Sequence, residues 1–156
     1  TVGSRPGATL SRIISSADAR RMLARSITEE IWQAQVIELA TSLRWEHYHT
    51  HDSRRSVSGF PDLVLARKSE MVVLELKREM GRATPEQLRW LGHFNQLDIL
   101  GAVARPSDFE LVKLALTRVA SVVVAQNQYG EPVLARVPFR PVAVAPAIST
   151  SEGGGG

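Results

Sequence analysis

The chain predicts an α/β domain in which a mixed β-sheet is flanked by helices. Three observations carry this reading. Apolar residues recur at helical spacing up to about residue 43 and again over 84–97. Two segments suited to strands, 61–67 and 71–77, are separated only by a short polar turn, so they should pair as an antiparallel hairpin. The second of these is followed by a helix and another short apolar segment, the pattern of a crossover between parallel strands. The expected order is α-β-β-β-α-β-α-(β), with an αβββαβ core.

Each element has a local reason. Residues 1–25 form an arm: 1–15 mix Gly, Ser, Pro and Arg without a period, and 16–24 suit a short helix. The domain proper spans 26–137. Ser26 with Glu29 three residues later fits a capping box, opening a helix over about 27–43 with Ile27, Ile31, Ala34, Ile37 and Leu43 on its apolar side. Residues 45–50 read as a short strand and 52–59, polar and basic, as a loop. The strand over 61–67 begins with a proline, a tolerated place for one, and 71–77 is rich in β-branched residues. Thr84, Pro85 and Gln87 make a strong helix start, with N-cap, first-turn proline and capping-box amide. Leu88, Leu91, Phe94 and Leu97 continue that helix and Gly101 is expected to end it. A strand over 102–105 follows. Ser107 and Glu110 then cap a helix to about 119, and 122–125 suits a further strand before a turn at Tyr129 and Gly130. From 138 to 156 recurring prolines and terminal glycines read as a tail.

Composition sets broad limits. A chain of 156 residues can bury one proper core. No apolar run approaches the roughly 18 residues needed to span a bilayer, and no basic start followed by an apolar stretch resembles a signal peptide. The absence of cysteine excludes disulfides and cysteine-ligated zinc, and fits a reducing cytoplasm. A net charge of +3 permits a nucleic-acid partner without demanding one.

The chemistry concentrates in Pro61-Asp62 and Glu75-Leu76-Lys77. Glu75 and Lys77 are two apart on a strand and share a face with Val73, whereas Val72, Leu74 and Leu76 face the opposite way. Asp62 opens the neighbouring hairpin strand and can approach Glu75. Two carboxylates held close repel, and a divalent cation removes the repulsion. Such a site with a lysine beside it suits phosphodiester hydrolysis. A cross-strand ion pair between Asp62 and Lys77 would be the structural alternative.

The wider pattern resembles the PD-(D/E)xK nucleases, and within them the virus-type replication-repair nuclease (VRR-NUC) domain. The matching residues are Ser53-Arg54, Gly59-Phe60-Pro61-Asp62, the strand ending Glu75-Leu76-Lys77-Arg78, then Gly81, Thr84-Pro85-Glu86-Gln87 and Trp90. The resemblance implies a restriction-endonuclease-like fold. It also implies Mg²⁺, with Mn²⁺ as substitute, held by Asp62, Glu75 and the Leu76 carbonyl, with Lys77 as the active-site lysine. The superfamily adds an acidic residue on the first helix, for which Glu30 is the first choice and Glu29 and Glu38 are alternatives. Gln87 is expected to contact the site or its water, or only to cap its helix. Ser53, Arg54, Arg55, Arg78 and Arg82 are candidate DNA contacts, with Arg89 extending the patch. His47, His49 and His51 alternate along one strand; His49 fits the family pattern better than an independent transition-metal site. The function implied is cleavage of branched DNA such as Holliday junctions by a cytoplasmic homodimer of bacterial or phage origin. The alternatives are a nuclease for flaps, ends or nicks, and a non-catalytic DNA-binding protein.

Overall fold

A computed structural model describes residues 14–50 and 57–138. Two helices open the chain: α1 (Ser16–Ser26) and α2 (Glu29–Ser42). A hairpin-rich stretch follows, with β1 (Glu46–His49), β2 (Leu63–Arg67) and β3 (Glu70–Leu76). The crossover is α3 (Pro85–Gln96), leading to β4 (Leu100–Ala104). A 3₁₀ turn at Pro106–Asp108 feeds α4 (Phe109–Thr117), and the hairpin β5 (Val122–Gln126) and β6 (Pro132–Arg136) completes the described chain. The six strands form one sheet in the order β1-β2-β3-β4-β6-β5. β1, β2 and β3 are antiparallel; β4 runs parallel to both β3 and β6; β5 returns antiparallel to β6. The mixed restriction-endonuclease-like sheet expected from the sequence is therefore present.

Strand alternation sorts the core into two layers. Leu63, Leu65, Val72, Leu74 and Leu76 face α2 and α4, meeting Trp32, Val36, Ala40, Val112 and Leu116. Val73 and Val103 face the other way, onto Leu91 of α3, with Val64, Leu88 and Phe94 beside them. Two buried tryptophans pin the first layer. The Trp32 indole donates to the Ala104 carbonyl (3.0 Å) and the Trp45 indole to the Leu116 carbonyl (2.9 Å). Each pairs its one polar group as burial demands.

Several local expectations need correction. The cap of α2 is Thr28, whose hydroxyl accepts from the Ile31 amide; Ser26 ends α1 and donates to the Leu23 carbonyl. The buried stripe of α2 is Trp32, Val36 and Ala40, spaced by four, while Ile31 and Ala34 are exposed. Trp32 is the largest apolar side chain on the helix, and its burial sets the rotation. Gly101 does not end α3, which stops at Gln96. It lies inside β4, where the Asn95 side chain brackets its backbone N–H and carbonyl and a Cβ would come 3.2 Å from the Leu91 carbonyl. Ser107 does not cap α4: the Asp108 carboxylate accepts from the Arg105 amide instead, closing the turn before the helix. α4 stops at Thr117, short of 119, and β6 is a strand that the sequence pattern does not announce. The arm residues 1–13 and the tail 139–156 lie outside the described residues. Among the described residues no helix is long and apolar enough to cross a membrane.

Candidate active site

The β2–β3 hairpin brings the two carboxylates together. Its last paired step is Leu63 opposite Leu74, so the next would set Asp62 against Glu75. The hydrogen bonds agree. The Asp62 amide donates to Oε2 of Glu75 (3.3 Å), and the Leu76 amide donates to Oδ2 of Asp62 (3.0 Å). Lys77 follows at the end of β3, its amide donating to the Ala104 carbonyl of β4 (3.1 Å). Its Nζ lies 2.8 Å from Oε1 of Glu75. The lysine's ion-pair partner is thus Glu75, not Asp62 as the structural alternative required. The cluster sits at the carboxyl ends of the parallel strands β3 and β4, where open sheets characteristically bind ligands.

Burial gives this cluster unusual electrostatics. Glu75 is fully buried, and its pKa is raised from 4.5 to about 8. Burial is the main cause and the Asp62 charge the next; the hydrogen bond and charge of Lys77 oppose them. For Lys77, burial disfavours the ammonium, but its hydrogen bond to Glu75 and the charges of Glu75, Glu29 and Asp62 outweigh this. Its pKa is raised, and it stays a cation at neutral pH.

α3 supplies Gln87. The capping box at Thr84 is present in both directions: Thr84 Oγ1 accepts from the Gln87 amide, and Gln87 Oε1 accepts from the Thr84 amide (2.8 Å). That second bond fixes the carbonyl end of the side chain and turns the other end inward, so Nε2 donates to Oε1 of Glu75 (2.5 Å). The two roles weighed for Gln87, cap and site contact, belong to one side chain at once. Gly59 lets the loop before Asp62 lie against the start of this helix. It has φ +81°, and a Cβ there would fall 2.5 Å from Glu86 Cβ and 2.6 Å from its carbonyl carbon. Phe60 then stacks edge-on against Trp90, ring centroids 5.1 Å apart. We expect Gly59→Ala to cost about 1–3 kcal/mol in chemical denaturation and to reduce cleavage by pushing Asp62 from its place. Wild-type stability and activity together would contradict this account of the loop.

The other candidates fall as follows. Glu30 is exposed and, at the helical advance per residue, points about 160° away from the buried Trp32. Glu29 lies about 60° from Trp32 by the same reckoning, and its charge acts on Lys77. Both glutamates are exposed, so the turn of the helix and the charge on Lys77, not burial, set Glu29 apart from the first choice, Glu30. Glu38 lines a groove with Leu39, Pro106 and Phe109, away from the cluster. The correct phase of the helix could have been found by taking Trp32 as its inward residue. Arg78 borders a small depression with Arg25, Glu79, Met80 and Gly81, which adds a basic neighbour the sequence reading missed. Arg82 lays its guanidinium over the Tyr129 ring, 3.7 Å from the centroid. Ser53, Arg54, Arg55 and His51 lie outside the described residues. The His47 and His49 rings stack on β1, 6.1 Å apart; among the described residues no group of three or more His, Asp and Glu side chains forms a cage for a metal ion. Asp62 and Glu75 supply the side-chain oxygens that could hold a metal, and the mutual repulsion of the two carboxylates is the condition that a hard divalent cation relieves.

A mixed sheet whose hairpin and crossover assemble Pro61-Asp62, Glu75-Leu76-Lys77 and Gln87 at one end defines a PD-(D/E)xK-type nuclease domain. The model of the VRR-NUC domain family matches residues 9–108. The chain belongs to that family of nucleases. No curated protein and no solved structure matches it.

Proposed function

We propose that this protein is a divalent-metal-dependent endonuclease that cuts branched DNA, four-way junctions in particular, as a homodimer. The observation that carries the reading is a fully buried Glu75 held between Asp62, Lys77 and Gln87. A bare structural ion pair would have no need of a second carboxylate that raises the cost of ionising the first. Asp62, Glu75 and the Leu76 carbonyl would hold Mg²⁺ or Mn²⁺, which when bound would polarise the phosphate and ionise water for attack. Lys77, kept protonated by its carboxylate neighbours, supplies fixed positive charge against the charge that develops on the phosphate. Gln87 orients Glu75 through Oε1 and leaves Oε2 facing Asp62. Glu29, in the first turn of α2, would complete the site; its charge already acts on Lys77.

Two features support the finer reading. Nothing among the described residues resembles a base-reading module, so substrate choice rests on DNA shape and phosphate contacts. Among the described residues β5 is an edge strand paired only to β6, with Val123 42% exposed, and an exposed apolar edge is a place for a second copy to cover. Trp90 adds nothing to this argument, because Phe60 and Phe94 already pack against it. Two matched cuts in a two-fold junction require two sites, which a symmetric dimer provides.

The test offers four-way junctions, flaps and linear duplex to the protein with Mg²⁺, Mn²⁺, Ca²⁺ or excess EDTA. We expect junction cleavage with Mg²⁺ and Mn²⁺, binding with little cutting in Ca²⁺, and none in EDTA. Light scattering should give twice the chain mass of 17.1 kDa. Cutting undiminished by EDTA would refute the metal; a monomer that prefers flaps or ends would move the activity to those substrates.

A further inference from the structure

The segment connecting Lys77 to Gln87 is held in part from outside the family match. Between Lys77 and Thr84 the chain forms a loop, and three of its groups are tied to distant segments. Glu79 Oε2 accepts from the Ser107 amide (3.1 Å). The Gly81 carbonyl accepts a forked pair from Arg105, Nε at 3.2 Å and an Nη at 2.7 Å. The Ala83 amide donates to Oε1 of Glu131 (3.0 Å). Arg105 and Glu131 are themselves a buried pair at 2.6 Å, 8% and 1% exposed. Asn127 finishes the arrangement, donating to Oε2 of Glu131 (2.9 Å) and accepting from the Glu131 and Tyr129 amides. Burial opposes ionisation of Glu131, but the Ala83 amide, Asn127 and Arg105 outweigh it and hold its carboxyl below the usual value.

We propose that Glu131 and Arg105 are positioning residues for the nuclease site: through Gly81 and Ala83 they set the Thr84 cap, which aims the Gln87 amide at Glu75. The path is continuous. Ala83 precedes Thr84, whose amide holds Gln87 Oε1, whose Nε2 meets Glu75. Glu131 and Asn127 lie beyond residue 108, where the family match ends. The β5–β6 hairpin therefore does more than widen the sheet: its turn reaches the loop after the catalytic lysine and fixes it. A buried ion pair is costly to desolvate and is a poor source of stability relative to an apolar pair. Here its hydrogen bonds go to the loop backbone, which is where a positioning role requires them. The proposal rests on the nuclease reading for its kinetic consequence, but not for its geometric one.

The test uses the full chain and two kinds of measurement. In Glu131→Gln, the side-chain NH₂ resonances of Gln87 should shift or broaden, and exchange of the Ala83 and Thr84 amide protons should speed at least about tenfold, while the Trp32 indole N–H resonance stays put. Single-turnover cleavage should fall about 10-fold to 100-fold, with DNA affinity in Ca²⁺ kept within about twofold, because misplacement by a fraction of an ångström affects rate before binding. In a Gln87→Ala background the same Glu131 change should add almost no further loss. Unmoved Gln87 resonances in a folded Glu131→Gln protein would overturn the proposal, as would a rate penalty that multiplies in full on Gln87→Ala. If Glu131→Gln does not fold, Arg105→Lys keeps the charge opposite Glu131 and removes the fork to Gly81, and the same measurements decide. A wild-type protein that cuts no DNA would sink the nuclease reading, and the Gln87 resonances would still support or overturn the positioning role.

Discussion

Lys77→Ala should lower DNA cleavage by about 10²-fold to 10⁴-fold, the range for removing a positioned charge or proton-transfer group, while leaving a folded protein. The rate argument starts from where the ammonium stands. It is mostly buried, 14% exposed at the side chain, and 2.8 Å from a carboxylate that itself has no contact with solvent. A cation so enclosed is screened little by water and acts strongly on charge developing nearby. The fold survives because Lys77 lies just past the last residue of β3 and its backbone bond to Ala104 needs no side chain. Glu75, once deprived of its partner, is not left as an unpaired charge: with its pKa already near 8 it carries a proton at neutral pH in the metal-free protein. Lys77→Met, which keeps the stem, should lose as much activity with still less effect on stability. Cleavage by either variant at the wild-type rate would show that the pair with Glu75 is structural. Loss of the circular-dichroism signal would show that the lysine holds the sheet end together.

How much of this is legible in the sequence depends on distance along the chain. The hairpin, its register and the shared face of Glu75 and Lys77 follow from a two-residue period and a tight turn, both local signals. The capping box at Thr84 is equally local, and the structure reproduces it. The phase of α2 is less accessible. Ile27, Ile31, Ala34 and Ile37 offer a competing stripe, and only the burial of Trp32 against Ala104, 72 residues away, selects a different one. The phase of the helix also decides which of its first-turn glutamates, Glu29 or Glu30, lies nearer the side of Trp32. β6 is hidden for a related reason. Pro132 opens it and Glu131 precedes it, a poor start for a strand by propensity. Yet Glu131 is buried because Arg105, 26 residues earlier, meets it. No local pattern announces a pair between two elements that become neighbours only when the sheet forms. Local sequence signals thus single out the candidate site side chains more readily than the groups that hold them.

Glu75→Gln should abolish cleavage and, unlike most changes to a buried residue, make the metal-free protein relatively more stable at high pH. In an unfolded chain Glu75 titrates near its ordinary value of 4.5; in the fold it does so near 8. Folding therefore takes up a proton between those values. The contribution of this group to stability is complete below about pH 4.5 and is lost as pH rises to about 8, at up to about 1.4 kcal/mol per pH unit. This slope is opposite in sign to that of a salt-bridged surface carboxylate. Glutamine removes the titrating group and retains most partners: its carbonyl can accept from Lys77 and Gln87, and its NH₂, though no acceptor for the Asp62 amide, can donate to the Asp62 carboxylate. The stability of wild type relative to variant, measured by denaturant unfolding in EDTA, should fall from pH 5 to pH 8. A divalent ion changes the comparison. It binds only the folded protein and stabilises it by mass action, so Mg²⁺ should raise the melting temperature of wild type at pH 8 and leave that of Glu75→Gln where it was. If both proteins share one pH slope, Glu75 is not the buried proton acceptor described above. If the variant keeps the Mg²⁺ shift and still cuts DNA, the metal and the chemistry belong elsewhere on the molecule.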